Sequence, residues 1–382
     1  MAFYLLSFLL HAYMGVRLLP ALAPLPVTQA VLLAVLAASA VLMPLSLLGR
    51  RILGRGLLSK LFTWLGLVCM GLFSSLLVLT LVRDASLLLA WVVEALWPGA
   101  TALPALQLYS AVAVPVLGLL ATLWGFVNAR RTAAVVRVDV PIQGLPAALH
   151  GFTVAQISDI HVGPTIRRGY LRRIVRAVNG LQADMVAITG DLVDGKVHEL
   201  APHVAPLAGL SSRHGTYFVT GNHEYYSGAD AWIIELRRLG VHVLLNQHVV
   251  LQHGDARGSA PLVVAGVADF GAHHFDPTHR SDPARALAGA PADARVRMLL
   301  AHQPRSAPAA ARAGFQLQLS GHTHGGQFFP WNFFVRLQQP FTAGLHRLQD
   351  LWVYTSRGTG YWGPPKRFGA PSEITHLRLV PA

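Results

Sequence analysis

Apolar residues are distributed along this 382-residue chain in two different ways. Up to Asn128 they run almost without interruption, and beyond it they come in short runs and in helical or alternating spacings. In the first region four stretches, about residues 3–19, 27–48, 61–82 and 106–127, have the length and apolarity of membrane-spanning helices. The first is the shortest and is interrupted by His11 and Arg17. A fifth stretch, residues 87–97, is too short to span and carries Glu94, so an interfacial or re-entrant segment is expected there. Residues 1–128 are thus predicted to be a helical membrane domain of about four spans.

The second region has a different grammar. Residues 129–151 pass through Arg130-Arg131 into an alternating Val136, Val138, Val140 run and then Pro141, Gly144 and Pro146, which predicts a linker and an edge strand. Runs rich in β-branched or aliphatic residues at 153–157, 185–189, 216–220, 296–301 and 315–320 predict buried strands. Further strands are expected at 262–267, 352–355 and 374–380. Helical spacing marks Ile166, Tyr170, Ile174 and Val178, and again residues 232–239. Strands alternating with helices predict an α/β domain over residues 152–382, long enough for one full core, and no internal repeat is evident.

Charge adds orientation. The formal net charge is +13; residues 1–128 hold six Lys/Arg and two acids, which leaves +9 on the remainder and draws it toward an anionic leaflet. Arg50, Arg51, Arg55 and Lys60 lie between the second and third spans, and Arg130, Arg131 and Arg137 follow the fourth. The positive-inside rule then expects a multi-pass protein of a bacterial-type inner membrane with its second region in the cytoplasm. Ala21-Leu22-Ala23 has the look of a signal-peptide cleavage site, but no basic n-region precedes it, and the orientation is the same in either case. The spans hold almost no ionisable residues at mid-depth, so anchoring is favoured over an ion pathway. Cys69, the only cysteine, lies in the third span, which excludes a disulfide within the chain.

The candidate chemistry directly follows the five strand-like runs. Asp159-Ile160-His161, Gly190-Asp191, Gly221-Asn222-His223-Glu224, His302 and Gly321-His322-Thr323-His324 fall in loops just past predicted strand ends, where α/β sheets build sites on a rigid platform. Carboxylate, carboxamide and imidazole donors with no thiolate suit Mn²⁺, Fe or Zn²⁺. The imidazole count argues against Ca²⁺ or a carboxylate-and-water Mg²⁺ site. Seven candidate ligands are too many for one ion and about right for two.

This ordered series resembles the calcineurin-like metallophosphoesterase family from Phe152 to the C-terminus, with all five family blocks in order. The resemblance implies two packed β-sheets flanked by helices, a four-layer αββα domain. It also implies that Asp159 and His161 hold one metal with His324, that Asn222, His302 and His322 hold a second, and that Asp191 bridges them. His223 matches the catalytic histidine and Asp194 the carboxylate that orients it, although Asp194 also reads as a turn residue before Gly195. The implied cofactors are two divalent transition-metal ions, Mn²⁺, Fe²⁺ or Zn²⁺, with Mn²⁺ favoured. The implied activity is metal-dependent phosphoric ester hydrolysis: two ions about 3.5–4 Å apart activate a hydroxide for in-line attack. His223 either protonates the leaving oxygen or stabilises charge on the phosphoryl group, with its tautomer fixed by Asp194.

Gly325-Gly326-Gln327, Arg357-Gly358 and Gly363-Pro364-Pro365 resemble the membrane-associated branch, which includes phosphodiesterases and UDP-2,3-diacylglucosamine hydrolases. That implies a phosphodiester or pyrophosphate substrate, with lipid-linked substrates among the candidates. The alternatives are an anchored phosphatase or nucleotide phosphodiesterase acting on a soluble substrate, and a non-catalytic membrane scaffold or sensor that retains the fold. The intact ligand set counts against the last.

Two surfaces bear on partners. Arg167, Arg168, Arg172, Arg173 and Arg176 lie opposite Ile166, Tyr170 and Ile174, and read either as a solvated face or as a surface for membrane lipids or an anionic substrate. The run Phe328-Phe329-Pro330-Trp331-Asn332-Phe333-Phe334 reads equally as core or as an acyl-chain groove or bilayer contact. Nucleic acid is not favoured as a partner, because no stacking platform with basic interleaving stands out. His273, His274 and His279 read as a surface cluster rather than a third metal site.

Overall fold

The computed structural model describes residues 2–52, 56–255 and 258–382. It forms two compact units: Met1–Asn128 with Gly363–Phe368, and Ala129–Trp362 with Gly369–Ala382.

The first unit is built on helices α1 (Ala2–Leu18), α2 (Pro26–Ile52), α3 (Leu57–Leu96) and α4 (Leu103–Arg130). All four are long and apolar enough to cross a membrane. Met14, Leu18, Leu32, Leu36, Leu76 and Val114 pack at their centre, while many other apolar side chains face outward, as lipid-facing residues do. Several polar groups inside the bundle are paired. His11 Nε2 lies 2.9 Å from Ser39 Oγ, and its Nδ1 lies 2.7 Å from the Ser7 carbonyl. Lys366 Nζ donates to Gly71 O at 2.7 Å.

Residues 87–97, expected to be interfacial or re-entrant, form no re-entrant turn. They form the last turns of α3, a continuous helix of 40 residues and so about 60 Å long, twice the hydrocarbon thickness. No proline interrupts residues 57–96. The charged pair in its middle is satisfied by side chains rather than by a break: Asp84 Oδ2 accepts from Tyr13 Oη (2.6 Å) and Arg17 Nε (2.8 Å), and Arg83 Nε donates to Ser110 Oγ at 3.0 Å. Glu94 belongs to the helix end, where its carboxylate accepts from Gly99 N and Thr101 N and closes the turn into α4. Of the expected basic loop, Arg55 lies outside the described residues.

The second unit is a two-sheet sandwich. Its strands are β1 (Ala134–Ile142), β2 (Thr153–Ile157), β3 (Met185–Ile188), β4 (Thr216–Phe218), β5 (His242–Val243), β6 (Gln247–Asp255), β7 (Gly258–Gly266), β8 (Val296–Leu300), β9 (Leu317–Ser320), β10 (Gly344–Leu348), β11 (Leu351–Thr355) and β12 (Glu373–Pro381). The first sheet runs β1-β12-β2-β3-β4-β5 and the second β10-β11-β9-β8-β7-β6. β2, β3, β4 and β5 are parallel, as are β7, β8, β9 and β11. β1 is the edge strand that the Val136–Val140 alternation predicts.

Period-two alternation builds the layers. Val154, Met185, Ala187, Tyr217, Leu262, Val264, Met298, Leu300, Leu317 and Leu319 point between the sheets. Ala155, Ile157, Val186 and Ile188 point the other way, against α5 (Arg168–Asn179), α6 (Val197–Val204), α7 (Asn222–Ser227) and α8 (Ala229–Arg238). On the far side of the second sheet, Ala265, Leu299 and Val353 meet α9 (Pro283–Leu287) and α10 (Ala307–Ala313). Each fully buried Leu, Ile or Val side chain contributes about 1.5–3 kcal/mol, so these three layers of packed residues hold the strand ends rigid.

Candidate metal centre

Every candidate ligand leaves the carboxyl end of a parallel strand. Asp159 and His161 follow β2, Asp191 follows β3, Asn222 and His223 follow β4, His302 follows β8, and His322 and His324 follow β9. The backbone there is forced: Asp159, His161, Asp191, His322 and His324 all have positive φ, between 51° and 70°. Such a conformation costs a non-glycine residue about 1–3 kcal/mol and persists where the surroundings over-determine it. Two glycines admit the close approach. A Cβ at Gly221 would collide with the Asp191 carboxylate, and one at Gly321 with Ser158 and the Asp159 carboxylate.

The side chains gather into two triads, the buried Asp159–His161–His324 and the mostly buried Asp191–His302–His322, with a third group, His161–Asp194–His223, adjoining the first. In the first, His161 Nε2 lies 3.0 Å from His324 Nε2, and His324 Nε2 lies 3.5 Å from Asp159 Oδ1. In the second, His302 Nε2 lies 3.1 Å from both Asp191 Oδ2 and His322 Nδ1. Asp191 Oδ2 also lies 3.9 Å from His161 Nε2, so one carboxylate oxygen faces both groups. The Asn222 Oδ1 atom is buried and has no hydrogen-bond partner among the described residues.

The outer contacts of the histidines decide what these contacts mean. His302 Nδ1 donates to Thr189 O at 2.7 Å, and His161 Nδ1 lies 3.0 Å from Asp194 Oδ1. Those bonds turn each Nε2 toward the centre. There the Nε2 atoms, a carboxylate oxygen and a second imidazole converge at about 3 Å, an arrangement that suits a bound cation. The orphaned Asn222 oxygen fits the same account. The donor set, of imidazole, carboxylate and amide, suits divalent transition ions.

Burial and charge shift these groups in opposite directions. Burial pushes the Asp159 carboxyl up. Burial also opposes ionisation of Asp191, but His302, His223 and His161 outweigh it and hold that carboxyl well below its usual range. Burial with the neighbouring His302 pulls His322 down to about 3.

His223 stands beside the triads. Its Nδ1 lies 2.6 Å from Asp194 Oδ1, and its Nε2 lies 4.0 Å from Asp191 Oδ2. Burial pulls its pKa down, but Asp194 and Asp191 prevail and hold it at about 9. Burial pushes the Asp194 carboxyl up, but His161 and His223 outweigh it and hold it below its usual range, and Asp194 does more than orient His223. The same oxygen reaches His161, so one carboxylate positions two imidazoles.

The sequence reading gave Glu224 no role, and the structure assigns it one. Its buried carboxylate accepts from the backbone N–H groups of Gly221 (2.6 Å), Leu192 (2.8 Å), Asp191 (2.9 Å) and Val193 (3.3 Å), tying the β3 and β4 loops together. Its position three residues after Gly221, at the start of α7, was the available signal. His273 and His274 stack on each other and His279 bonds Tyr225, and no metal-type cluster forms there among the described residues. The arginines of the α5 face are exposed, opposite the buried Tyr170, Ile174 and Val178.

Residues 152–326 match the family model described as calcineurin-like phosphoesterase. A bovine protein, "Transmembrane protein with metallophosphoesterase domain", is 40% identical over 333 residues, covering 84% of this chain and 74% of that protein. That alignment is longer than the stretch from Ala129 to Ala382, so the likeness reaches into the helical region. A zebrafish protein of the same name is 40% identical over 264 residues, covering 68% of this chain and 60% of its own length. An uncharacterized metallophosphoesterase of Campylobacter jejuni is 37% identical over 257 residues, covering 66% and 64%.

Proposed function

The chain belongs to the calcineurin-like metallophosphoesterase family, in its membrane-associated branch, and on that premise we propose that it hydrolyses a phosphodiester or pyrophosphate bond at a centre of two metal ions. The observation that carries this reading is the pair of triads facing one shared carboxylate, Asp191, with the orphaned Asn222 oxygen beside them. Asp159, His161 and His324 would hold one ion, Asn222, His302 and His322 the other, and Asp191 both. When bound, the two cations supply Lewis-acid activation of water and neutralise charge on the phosphoryl group. Mn²⁺ is the favoured occupant.

The chain's own residues supply the rest. Asp194 accepts from His223 Nδ1, which leaves Nε2 facing the centre and keeps the ring protonated at neutral pH. His223 Nε2–H donates its proton to the leaving oxygen as the ester bond breaks. Glu224 holds the loops of Asp191 and His223 at a constant separation, which preserves the alignment on which in-line attack depends.

The chain is a transmembrane protein, and we place its sandwich unit, Ala129–Trp362 with Gly369–Ala382, in the cytoplasm of a cell bounded by an inner membrane. A reporter fused after Ala382 should behave as cytoplasmic and one inserted near Gly99 as external; a C-terminal reporter active outside the membrane overturns the orientation. The substrate class is tested by assaying the purified chain with Mn²⁺ on an aryl phosphodiester, an aryl phosphomonoester and UDP-2,3-diacylglucosamine. Hydrolysis of the monoester alone would refute the diester and pyrophosphate reading, and faster turnover of the diacylated nucleotide than of the aryl diester would support a lipid-linked substrate.

A further inference from the structure

The aromatic run that follows the His324 loop stays out of the core. Phe333 and Leu337 leave 65% and 81% of their surface exposed, and Phe329, Trp331 and Phe334 are exposed as well, around the single-turn helix α11 (Asn332–Val335). Water contact with five large apolar side chains in nine residues is costly, at roughly 25 cal/mol per Å² of apolar surface.

The segment is nonetheless fixed at both ends. At its start the Gln327 side chain exchanges two hydrogen bonds of 2.8 Å with the backbone of Trp362. At its end Arg305 Nη2 donates to Gln338 O at 3.0 Å, and Gln339 bonds both Gln303 and Arg305 N. The rings also brace one another, Phe329 edge-on to Phe333 and Trp331 beside Phe334. The rings are therefore displayed by a built scaffold.

Charge identifies what the display meets. From Ala294 to Gln349 the chain has no Asp or Glu, and Arg336 stands exposed among the rings with Arg305 at their base. Phenylalanine and tryptophan beside arginine, without a carboxylate, match the interface of an anionic bilayer, where rings sit at headgroup depth and guanidinium groups meet phosphate. The four spanning helices keep every copy of the chain at such a surface.

We propose that residues 329–337 form a membrane-docking loop that inserts Phe333, Phe334 and Trp331 into the headgroup region of an anionic leaflet, independently of the spanning helices. Trp362, which the loop's Gln327 holds, is exposed and its ring centroid lies 5.7 Å from that of His223, so the docked surface continues to the reaction centre. A phosphoester borne by a lipid would then present its phosphate to the centre without leaving the bilayer. That consequence rests on the proposed function; the docking does not.

The test reads lipid contact rather than activity. The full chain carrying Cys69→Ser receives a single cysteine at Phe333, at Leu337 or, as a control, at the exposed Gln252 of β6, each labelled with an environment-sensitive fluorophore. The proteins are reconstituted in phosphatidylglycerol–phosphatidylethanolamine vesicles containing lipid spin-labelled near the headgroup. Quenching at positions 333 and 337 should exceed that at 252 by about two-fold or more, and should weaken when phosphatidylcholine replaces phosphatidylglycerol. Equal quenching at all three positions overturns the proposal. So does protection of position 333 from aqueous iodide without lipid quenching, which would assign the patch to a protein partner or a second copy.

Discussion

The two sheets of the sandwich bring unlike donors to the same centre. The first sheet, through β2, β3 and β4, supplies both carboxylates, the amide of Asn222, the imidazole of His161 and the hydrogen-bonded pair His223–Asp194. The second sheet, through β8 and β9, supplies imidazoles alone: His302, His322 and His324. Neither triad is complete within one sheet, since His324 joins Asp159 and His161, and His302 and His322 join Asp191. On the proposed reading, charge and proton transfer reside on one layer and ligation by imidazole alone on the other, and the packed interface between the sheets unites them. Substitution of a ligand on either sheet should lower metal content and turnover together; substitution of His223, on the first sheet, should lower turnover alone.

The largest effect is expected at the shared carboxylate. In Asp191→Asn the two cations lose the anion between them, so turnover should fall by about 10³–10⁴-fold or more, equivalent to several kcal/mol of transition-state stabilisation. Steady-state kinetics with saturating Mn²⁺ check this, and near-normal turnover would remove Asp191 from the centre.

His223→Ala comes next. It should keep its metals and lose about 10²–10⁴-fold in turnover, the range of a proton-transferring group, with a smaller loss for substrates whose leaving group is very acidic. The pH profile sharpens this. Because Asp194 and Asp191 raise His223 to about 9, its proton stays available through neutral pH and is lost as pH rises past that value. Turnover of an alkyl diester should fall on that limb, while turnover of a nitrophenyl diester should not. Equal losses for both leaving groups would rule out His223 as the general acid.

Asp194→Asn should weaken both imidazoles that it holds, lowering Mn²⁺ affinity by about 10–100-fold in addition to slowing turnover. The smallest and most discriminating effect is on packing. Leu317→Ala, between the sheets, and Ile174→Ala, on the outer helical layer, should each cost about 2–5 kcal/mol of stability. Only the first should also lower Mn²⁺ affinity, because only it loosens the contact between the sheets. Thermal denaturation paired with Mn²⁺ titration separates the two, and an equal change in affinity would break the comparison.

Much of this was legible in the sequence because of where the residues fall. Each candidate ligand follows a short aliphatic run, and such runs became β2, β3, β4, β8 and β9 with boundaries within a few residues of those expected. β6 escaped notice because it is an edge strand with one face toward water, so Gln247, Gln252 and His253 dilute its apolar signal. β5 and β10 are too short or too half-buried to register. The mid-helix pair Arg83–Asp84 looked like the end of a span because hydropathy counts charges and cannot see that Tyr13, Arg17 and Ser110 satisfy them. Glu224 shows in the sequence only through its place three residues after Gly221 at a helix start; that its carboxylate also gathers backbone N–H groups from the β3 loop leaves no pattern in residue types. The aromatic run fitted core and surface equally, and only the packing of α11 and its neighbours decided between them.

The claim that both sheets are needed to build a centre for two ions is tested most directly by metal content. The purified full chain loaded with Mn²⁺ and freed of excess metal should retain two ions per chain by plasma mass spectrometry. His324→Ala and His322→Ala, one in each triad on the second sheet, should each retain about one. A single ion in the unaltered chain, or two ions in both variants, would contradict the account.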